Sequence, residues 1–98
     1  MKIVFTNSAL NNLTDICDYY FLFVSVQMSK NIENGIMNSI LALEDNPFIG
    51  KVSIELQTKV DKRIIRSIVS VNYRIYYEVQ SDFIYILKIM DCRQEPIV

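Results

Sequence analysis

The side chains best suited to chemistry in this chain are arginines, and one of them lies on a predicted strand. From Val71 to Val79 the odd positions are apolar, while Asn72, Arg74 and Glu78 are polar. This is the period of a strand with one buried face, and it places Arg74 and Tyr76 on the opposite face. Because a strand holds a guanidinium in fixed geometry, the pattern favours an electrostatic contact with a partner.

Several classes of active site are excluded by what the sequence lacks. The chain has no histidine, the usual acid–base residue. It also lacks a glycine-rich phosphate loop, a metal-ligand spacing and a serine, histidine and acid set, so we expect no metal and no cofactor. Cys17 and Cys92 are two thiols far apart in the sequence, which indicates a reducing, cytoplasmic setting rather than a disulfide framework.

Size and charge limit the protein further. Its 98 residues predict a single domain, residues 1–98, and there is no signal peptide or long apolar span, so we expect a soluble protein. The net charge is −1, but residues 51–74 carry six basic and two acidic side chains, whereas residues 1–50 carry two basic and five acidic ones. A general nucleic-acid binder is usually basic overall, and this chain is not.

The first half of the chain predicts a strand and two helices. Ile3-Val4-Phe5 is a short strand, and Asn7 or Ser8 can cap a helix from about Ser8 to about Phe23. A second helix starts at Ser25 or Ser29 and ends at Asp45-Asn46-Pro47, because the residue before a proline leaves the helical region. The two helices predict a helical hairpin.

The second half predicts strands. Val52 to Leu56 alternates weakly, and Ile64 to Val69 is β-branched. The run that contains Arg74 and the run from Phe83 to Ile89 predict an antiparallel hairpin joined at Gln80-Ser81-Asp82. Helices followed by strands indicate an α+β fold with an N-terminal strand and a helical hairpin, in which both helices pack on one face of a twisted antiparallel β-sheet.

A cluster of large apolar side chains marks the end of the first helix. The six consecutive residues from Tyr19 to Val24 are too many to face the core from one helix. One interpretation is a helix end buried by the second helix. The other, which we favour slightly, is a docking patch for a protein partner or a second copy.

The order and spacing of these segments resemble the RelE/ParE superfamily of toxins from bacterial type II toxin–antitoxin systems. The resemblance spans nearly the whole chain. Its matching segments are Ser8-Ala9-Leu10 with Leu13, Ile16 and Asp18-Tyr19, then Leu43 to Pro47 with Gly50-Lys51, then Arg66, Asn72 to Val79, Ile84 to Ile89, and Arg93 with Pro96.

The resemblance implies a toxin that a cognate antitoxin holds inactive, with growth inhibition and plasmid stabilisation as its role. RelE-like members cut messenger RNA on the ribosome, and ParE-like members poison DNA gyrase. The ending from Asp91 to Pro96 is more similar to ParE. On the resemblance, the aromatic cluster becomes an antitoxin-binding surface formed by Tyr19, Phe21, Leu22 and Phe23. A homodimer and a toxin–antitoxin hetero-oligomer both stay open.

Each residue that the resemblance selects also has a structural interpretation. If the protein is a nuclease, the catalytic residues by position are Lys51, Arg66, Arg74, Tyr76 and Arg93. Lys51 is more simply a solvated turn residue, and Arg66 and Arg74 can pair across strands with Glu78. Arg93 follows the last strand and has no evident role in the core. On the resemblance, we nevertheless predict that Arg66, Arg74 and Arg93 bind the target.

The preferred interpretation is a ParE-like toxin that inhibits its target by binding rather than by catalysis. Its basic segment from Lys59 to Arg74, together with Arg93, would engage an acidic or nucleic-acid-bearing target. The first alternative is a RelE-like endoribonuclease that acts on messenger RNA in the ribosome. The second is a degenerate member that only binds its antitoxin. The overall acidity argues mildly against RNA cleavage, because phosphate binding depends on accumulated positive charge.

Overall fold

The structure, a computed structural model, describes residues 1–53 and 63–94. The predictions made for Lys59, for residues 54–56 and for Pro96 lie outside these residues. The elements are β1 (Lys2–Phe5), α1 (Asn7–Phe23), α2 (Val26–Leu41), β2 (Lys51–Val52), β3 (Arg66–Ser70), β4 (Tyr73–Gln80) and β5 (Phe83–Asp91), with short 3-10 turns at Ala42–Glu44 and Cys92–Gln94.

The helical hairpin forms as predicted, but its first cap is different. Thr6, rather than Asn7 or Ser8, caps α1 by accepting a hydrogen bond from the Ala9 amide at 3.2 Å. Thr6 can do so because its hydroxyl also donates to the carbonyl of Ile86 at 2.8 Å, which ties the start of the helix to β5. The Thr6 cap therefore marks the start of the helix and also connects it to the sheet.

The second helix begins at the first of its two predicted caps. The Ser25 hydroxyl accepts a hydrogen bond from the Met28 amide at 3.0 Å. Only two residues, Val24 and Ser25, therefore connect the two helices of the hairpin. The regular helix ends at Leu41, before the predicted stop, because the chain tightens into a 3-10 turn ahead of Pro47. The spacing along one side of this helix predicts a buried stripe of Met28, Ile32, Ile36, Ile40 and Leu43. The last four are buried, but Met28 is 39% exposed.

The predicted α+β fold is confirmed, and the sheet is mixed. Its strand order is β1-β5-β4-β3-β2. The four strands from β2 to β5 are antiparallel, whereas β1 pairs in parallel with the first half of β5. The parallel pair is possible because both helices and three strands separate β1 from β5, which leaves enough chain for the crossover.

A β-bulge sets which residues of β5 reach the core. Tyr76 pairs with Lys88 and Tyr77 pairs with Ile86, so Leu87 is the extra residue. Ile86 and Ile89 are three positions apart and would face opposite sides of a regular strand. Because of the bulge, both are buried in the core cluster, with exposures of 0% and 3%.

The face pattern of β4 is partly as predicted. Tyr73, Ile75 and Tyr77 are buried against the helices, in agreement with their spacing. The prediction that Val71 belongs to this buried face is wrong, because Val71 lies in the two-residue turn between β3 and β4 and is 56% exposed. Its φ of 58° is uncommon for a β-branched residue and marks a strained turn.

A buried hydrogen bond joins the segment after the helices to the centre of the sheet. The Gly50 amide donates to the Tyr77 hydroxyl at 2.8 Å, and Tyr77 is fully buried. Burial raises the pKa of the Tyr77 phenol above its usual range, so the ring stays neutral. A Cβ at Gly50 would lie 2.5 Å from the Tyr77 hydroxyl and 2.9 Å from the Ser67 carbonyl oxygen. Only glycine fits there.

We predict that Gly50→Ala lowers the free energy of unfolding by about 1–3 kcal/mol, because it overpacks a closed site. Chemical denaturation measures the difference. The only other glycine, Gly35, supplies the control. A Cβ at Gly35 meets only the Val71 side chain at 3.3 Å, and alanine favours a helix, so Gly35→Ala should leave stability unchanged or raise it by up to about 1 kcal/mol. Equal losses in both variants would contradict the proposed close approach.

Candidate functional site

Three of the predicted nuclease residues share the face of the sheet that points away from the helices, which we call the outer face. The register aligns Lys51, Ser67, Tyr76 and Lys88 in one row across four strands, and Arg74 lies in the next row. The Arg74 guanidinium donates to the Ser67 hydroxyl at 3.2 Å. The outer face therefore collects positive charge on regular strands.

Tyr76 lies at the centre of this row, and it is 4% exposed although it is not part of the core between the helices and the sheet. Tyr76 is therefore buried on the outer face rather than open to solvent. Lys51 and Lys88, at the two ends of the row, are exposed. The strand positions predicted Tyr76 and Arg74 together, but Lys88 was missed, because the bulge at Leu87 reverses the alternation of β5.

Arg66 lies apart from the outer face. It pairs with Tyr77 in the register, and its guanidinium donates to the carbonyls of Gly50 at 3.0 Å and Phe48 at 3.4 Å. The same guanidinium stacks on the Phe48 ring, with 5.4 Å between the Arg66 Cζ atom and the ring centroid. Arg66 therefore fixes the segment between the helices and β2.

Glu78 pairs with a residue that the sequence did not single out. The prediction that Glu78 pairs with Arg66 or Arg74 is wrong. Its carboxylate accepts two short hydrogen bonds from Arg63, 3.0 Å from Nε and 2.8 Å from Nη2, and a third from Gln80 at 2.9 Å. The Glu78 side chain is 7% exposed and the Arg63 side chain 42%. The pair holds the residues that precede β3 against the outer face.

Arg93 lies at the end of the sheet, beside the helical hairpin. Its guanidinium donates to both oxygens of the Asp91 carboxylate, 3.0 Å from Nε to Oδ1 and 2.7 Å from Nη2 to Oδ2. These bonds hold the pKa of Asp91 below its usual range and raise the pKa of Arg93. The Arg93 side chain is 71% exposed, so most of the cation is open to solvent.

A shallow pocket lies next to Arg93 between α1 and the ends of β4 and β5. Its lining comprises Asp15, Ile16, Tyr19, Tyr20, Tyr73, Asp91 and Arg93. The Tyr73 and Tyr20 hydroxyls are 3.3 Å apart, and burial is the main reason that the pKa of Tyr73 is raised. This aromatic wall continues toward the helix end, since the rings of Tyr19 and Tyr20 are 5.3 Å apart.

The end of the helical hairpin exposes a set of large apolar side chains, which we call the hairpin tip. Its predicted members are 55–74% exposed, namely Tyr19, Phe21, Leu22 and Phe23. Val24, Val26 and Met28 extend the same exposed surface into α2. The alternative interpretation, in which the second helix buries this helix end, is wrong for these side chains because the two-residue connection leaves them beyond the helix contact. Only Tyr20 is half-buried.

Comparison with known protein families identifies the family of this chain. A family model described as ParE toxin of type II toxin–antitoxin system, parDE, matches residues 3–96. The chain belongs to the ParE toxin family. The match covers nearly the full length, including the strands, Arg93 and the C-terminal residues used in the sequence comparison above. The RelE/ParE assignment made from the sequence is thereby confirmed.

Among solved structures, the ParE-family toxin is similar to a chain of the chromosomal ParDE TA system from P. aeruginosa. The two share 18% sequence identity and superpose with a TM-score of 0.74, over 93% of this chain and 95% of the other. At that identity the similarity establishes a common fold. A search of curated protein sequences finds no match.

Two features are absent from the part of the ParE-family toxin that the structure describes. No helix there is long and apolar enough to cross a membrane. Within the same residues, no group of three or more histidine, cysteine or acidic side chains could hold a metal ion.

We predict that Arg63→Ala lowers the free energy of unfolding by about 1–3 kcal/mol, because it leaves a buried carboxylate without its main partner. The double variant Arg63→Ala/Glu78→Met should be less destabilised than the single one, since no buried charge remains. Thermal and chemical denaturation of both variants check the order. A double variant that is less stable than Arg63→Ala would show that the ion pair itself, rather than the buried charge, determines the loss.

Proposed function

We propose that this toxin inhibits growth by binding DNA gyrase and that a cognate antitoxin neutralises it. The full-length match to the ParE family carries the proposal. Within the RelE/ParE superfamily, poisoning of gyrase is the activity of the ParE branch. The ending Asp91 to Gln94 adds support, because it forms an ordered turn that presents an exposed guanidinium.

The positions of the basic residues favour binding over RNA cleavage. A nuclease needs its acid, base and cations around one phosphate. Here Arg74 and Tyr76 lie on the outer face, Arg66 holds the segment before β2, and Arg93 lies beside the pocket formed with α1. These groups are directed to different parts of the surface. Tyr76, the only phenol among them, is 4% exposed.

The target contact is assigned mainly to Arg93. It is largely exposed, and it lies next to a pocket that a partner side chain could enter. Arg74 contributes positive charge from the outer face, together with Lys51 and Lys88. Arg66 contributes to the target contact indirectly, through the backbone carbonyls that it holds in place.

Induction of the toxin in cells separates the two mechanisms. A gyrase poison should cause filamentation and DNA damage while messages stay full length, and the purified protein should inhibit supercoiling by gyrase. Arg93→Ala should reduce this inhibition at least tenfold, with little change in melting temperature, because an exposed charge contributes little to stability.

Primer extension on messages from induced cells tests the alternative, which is cleavage of messenger RNA. Codon-phased cuts that require Arg66, Arg74 and Arg93 would replace the proposed function with ribosome-dependent RNA cleavage, since each lost electrostatic contact typically costs about a hundredfold in rate. Full-length messages together with unaffected supercoiling would leave a protein that only binds its antitoxin.

The antitoxin is proposed to dock on the hairpin tip. Exposed aromatic and aliphatic side chains are concentrated there on two adjoining helices, and contiguous apolar surface of this kind marks interaction sites. The side chains of Tyr19 and Phe23 pack against each other, with 5.5 Å between ring centroids, so the aromatic rings at the tip support one another. Such aromatic anchors dominate the binding energy of protein interfaces.

We predict that Leu22→Ser weakens the complex with the protein encoded by the neighbouring reading frame by at least tenfold. The reason is the loss of about 1.5–3 kcal/mol of apolar contact. Ile49→Ser is the control, because Ile49 is 68% exposed and Leu22 69%, and the two lie in different parts of the surface. Calorimetric titration of the purified partners measures both. Equal weakening, or none, would place the antitoxin elsewhere.

A further inference from the structure

The interaction between Asp91 and Arg93 is more specific than a turn requires. One oxygen of Asp91, Oδ1, accepts from the Arg93 backbone amide at 2.8 Å, which is sufficient to form the turn after β5. The same oxygen also accepts from Nε at 3.0 Å, and Oδ2 accepts from Nη2 at 2.7 Å. The carboxylate therefore grips the guanidinium along one edge, in the two-bond geometry that fixes its plane.

We propose that Asp91 is a positioning residue that presents Arg93 to the target, an inference that rests on the proposed function of Arg93. Asp91 holds the guanidinium at the mouth of the pocket formed by Tyr19, Tyr20 and Tyr73. A free arginine side chain loses much rotamer freedom when it binds. Because Asp91 removes that freedom beforehand, less is lost on contact with the target.

The Asp91 and Arg93 side chains differ in how far they are exposed to solvent. The Asp91 side chain is 14% exposed and the Arg93 side chain is 71% exposed. The carboxylate thus lies beneath the cation, and a partner that approaches this end of the sheet meets positive charge first. Among the described residues, no group accepts a hydrogen bond from the remaining nitrogen, Nη1. Its two N–H groups can therefore bind an acidic or carbonyl group of the target while the Asp91 contact persists.

An opposite role for the same pair is masking, in which Asp91 neutralises Arg93 and must release it before the target binds. The two roles predict opposite effects. A positioning carboxylate makes inhibition weaker when it is removed, whereas a masking carboxylate makes inhibition stronger. The exposed Nη1 edge favours positioning, because binding then requires no rupture of the existing bonds.

The variant Asp91→Asn separates the role of Asp91 in the turn from its two hydrogen bonds to the Arg93 guanidinium. Asparagine keeps Oδ1 as the acceptor for the backbone amide, but its NH₂ group replaces Oδ2 and cannot accept from Nη2. Arg93→Lys keeps the charge and loses the planar two-bond geometry. Asp82→Asn, the same chemical change in the exposed turn at the other end of β5, is the control.

The test combines growth inhibition on induction with an NMR measurement on the purified protein. In the wild type, the Arg93 Nε–H should give a resolved cross-peak that is protected from exchange, assigned by its disappearance in Arg93→Lys. Asp91→Asn keeps the Oδ1 acceptor of Nε but loses the negative charge and the Nη2 bond, so the protection should fall. The melting temperature should stay within a few degrees, and growth inhibition should be about three- to tenfold weaker, the range expected for one rotamer-rich side chain left unordered. The combination with Arg93→Lys should then add little further loss.

Unchanged inhibition by Asp91→Asn, in the presence of a strong loss in Arg93→Ala, would overturn the positioning role and leave the target contact intact. Stronger inhibition by Asp91→Asn would overturn it in favour of masking. Full inhibition by Arg93→Ala would instead reject the target contact on which the inference rests. A loss of inhibition by Asp82→Asn equal to that of Asp91→Asn would show a general effect of charge, which also overturns the positioning role.

Discussion

The hydrogen bond between the Gly50 amide and the Tyr77 hydroxyl is the contact on which the arrangement of this toxin depends. It joins the segment that leaves the helices to the central strand pair, inside a site that only glycine can occupy. Arg66 then binds the Gly50 carbonyl, so the backbone of one residue is held from both sides. With this segment fixed, β2 can pair at the sheet edge and the outer face is completed.

Some arginines of this toxin stabilise the fold, and others face solvent. Arg66 and Arg63 are engaged with backbone carbonyls and a buried carboxylate, respectively, and their removal is a matter of stability. Arg93 is engaged as well, but its partner lies beneath it and its outer edge faces solvent. Counting basic residues along the sequence therefore overstates the charge that is available to a target, because part of it is used within the fold.

The two proposed binding surfaces adjoin one another. The aromatic wall that borders Arg93 includes Tyr19 and Tyr20, and Tyr19 also belongs to the hairpin tip. An antitoxin bound at the tip would thus lie close to the residue assigned to the target. On this proposal, an antitoxin at the tip would obstruct access to Arg93 without any change of shape in the toxin.

The sequence by itself determined the local features of this protein: the helical hairpin, the buried stripe of α2, the hairpin of β4 and β5, and the cluster from Tyr19 to Val24. These follow from period, capping and composition, which act over a few residues. Tertiary structure decided the rest. The parallel pairing of β1, the bulge at Leu87, and the partners of Glu78 and Arg66 depend on contacts between segments that are apart in the sequence, by up to 81 residues for the bond of Thr6 with Leu87. No local pattern encodes such contacts, because several segments and polar groups along the chain could serve equally well as partners and only packing selects among them.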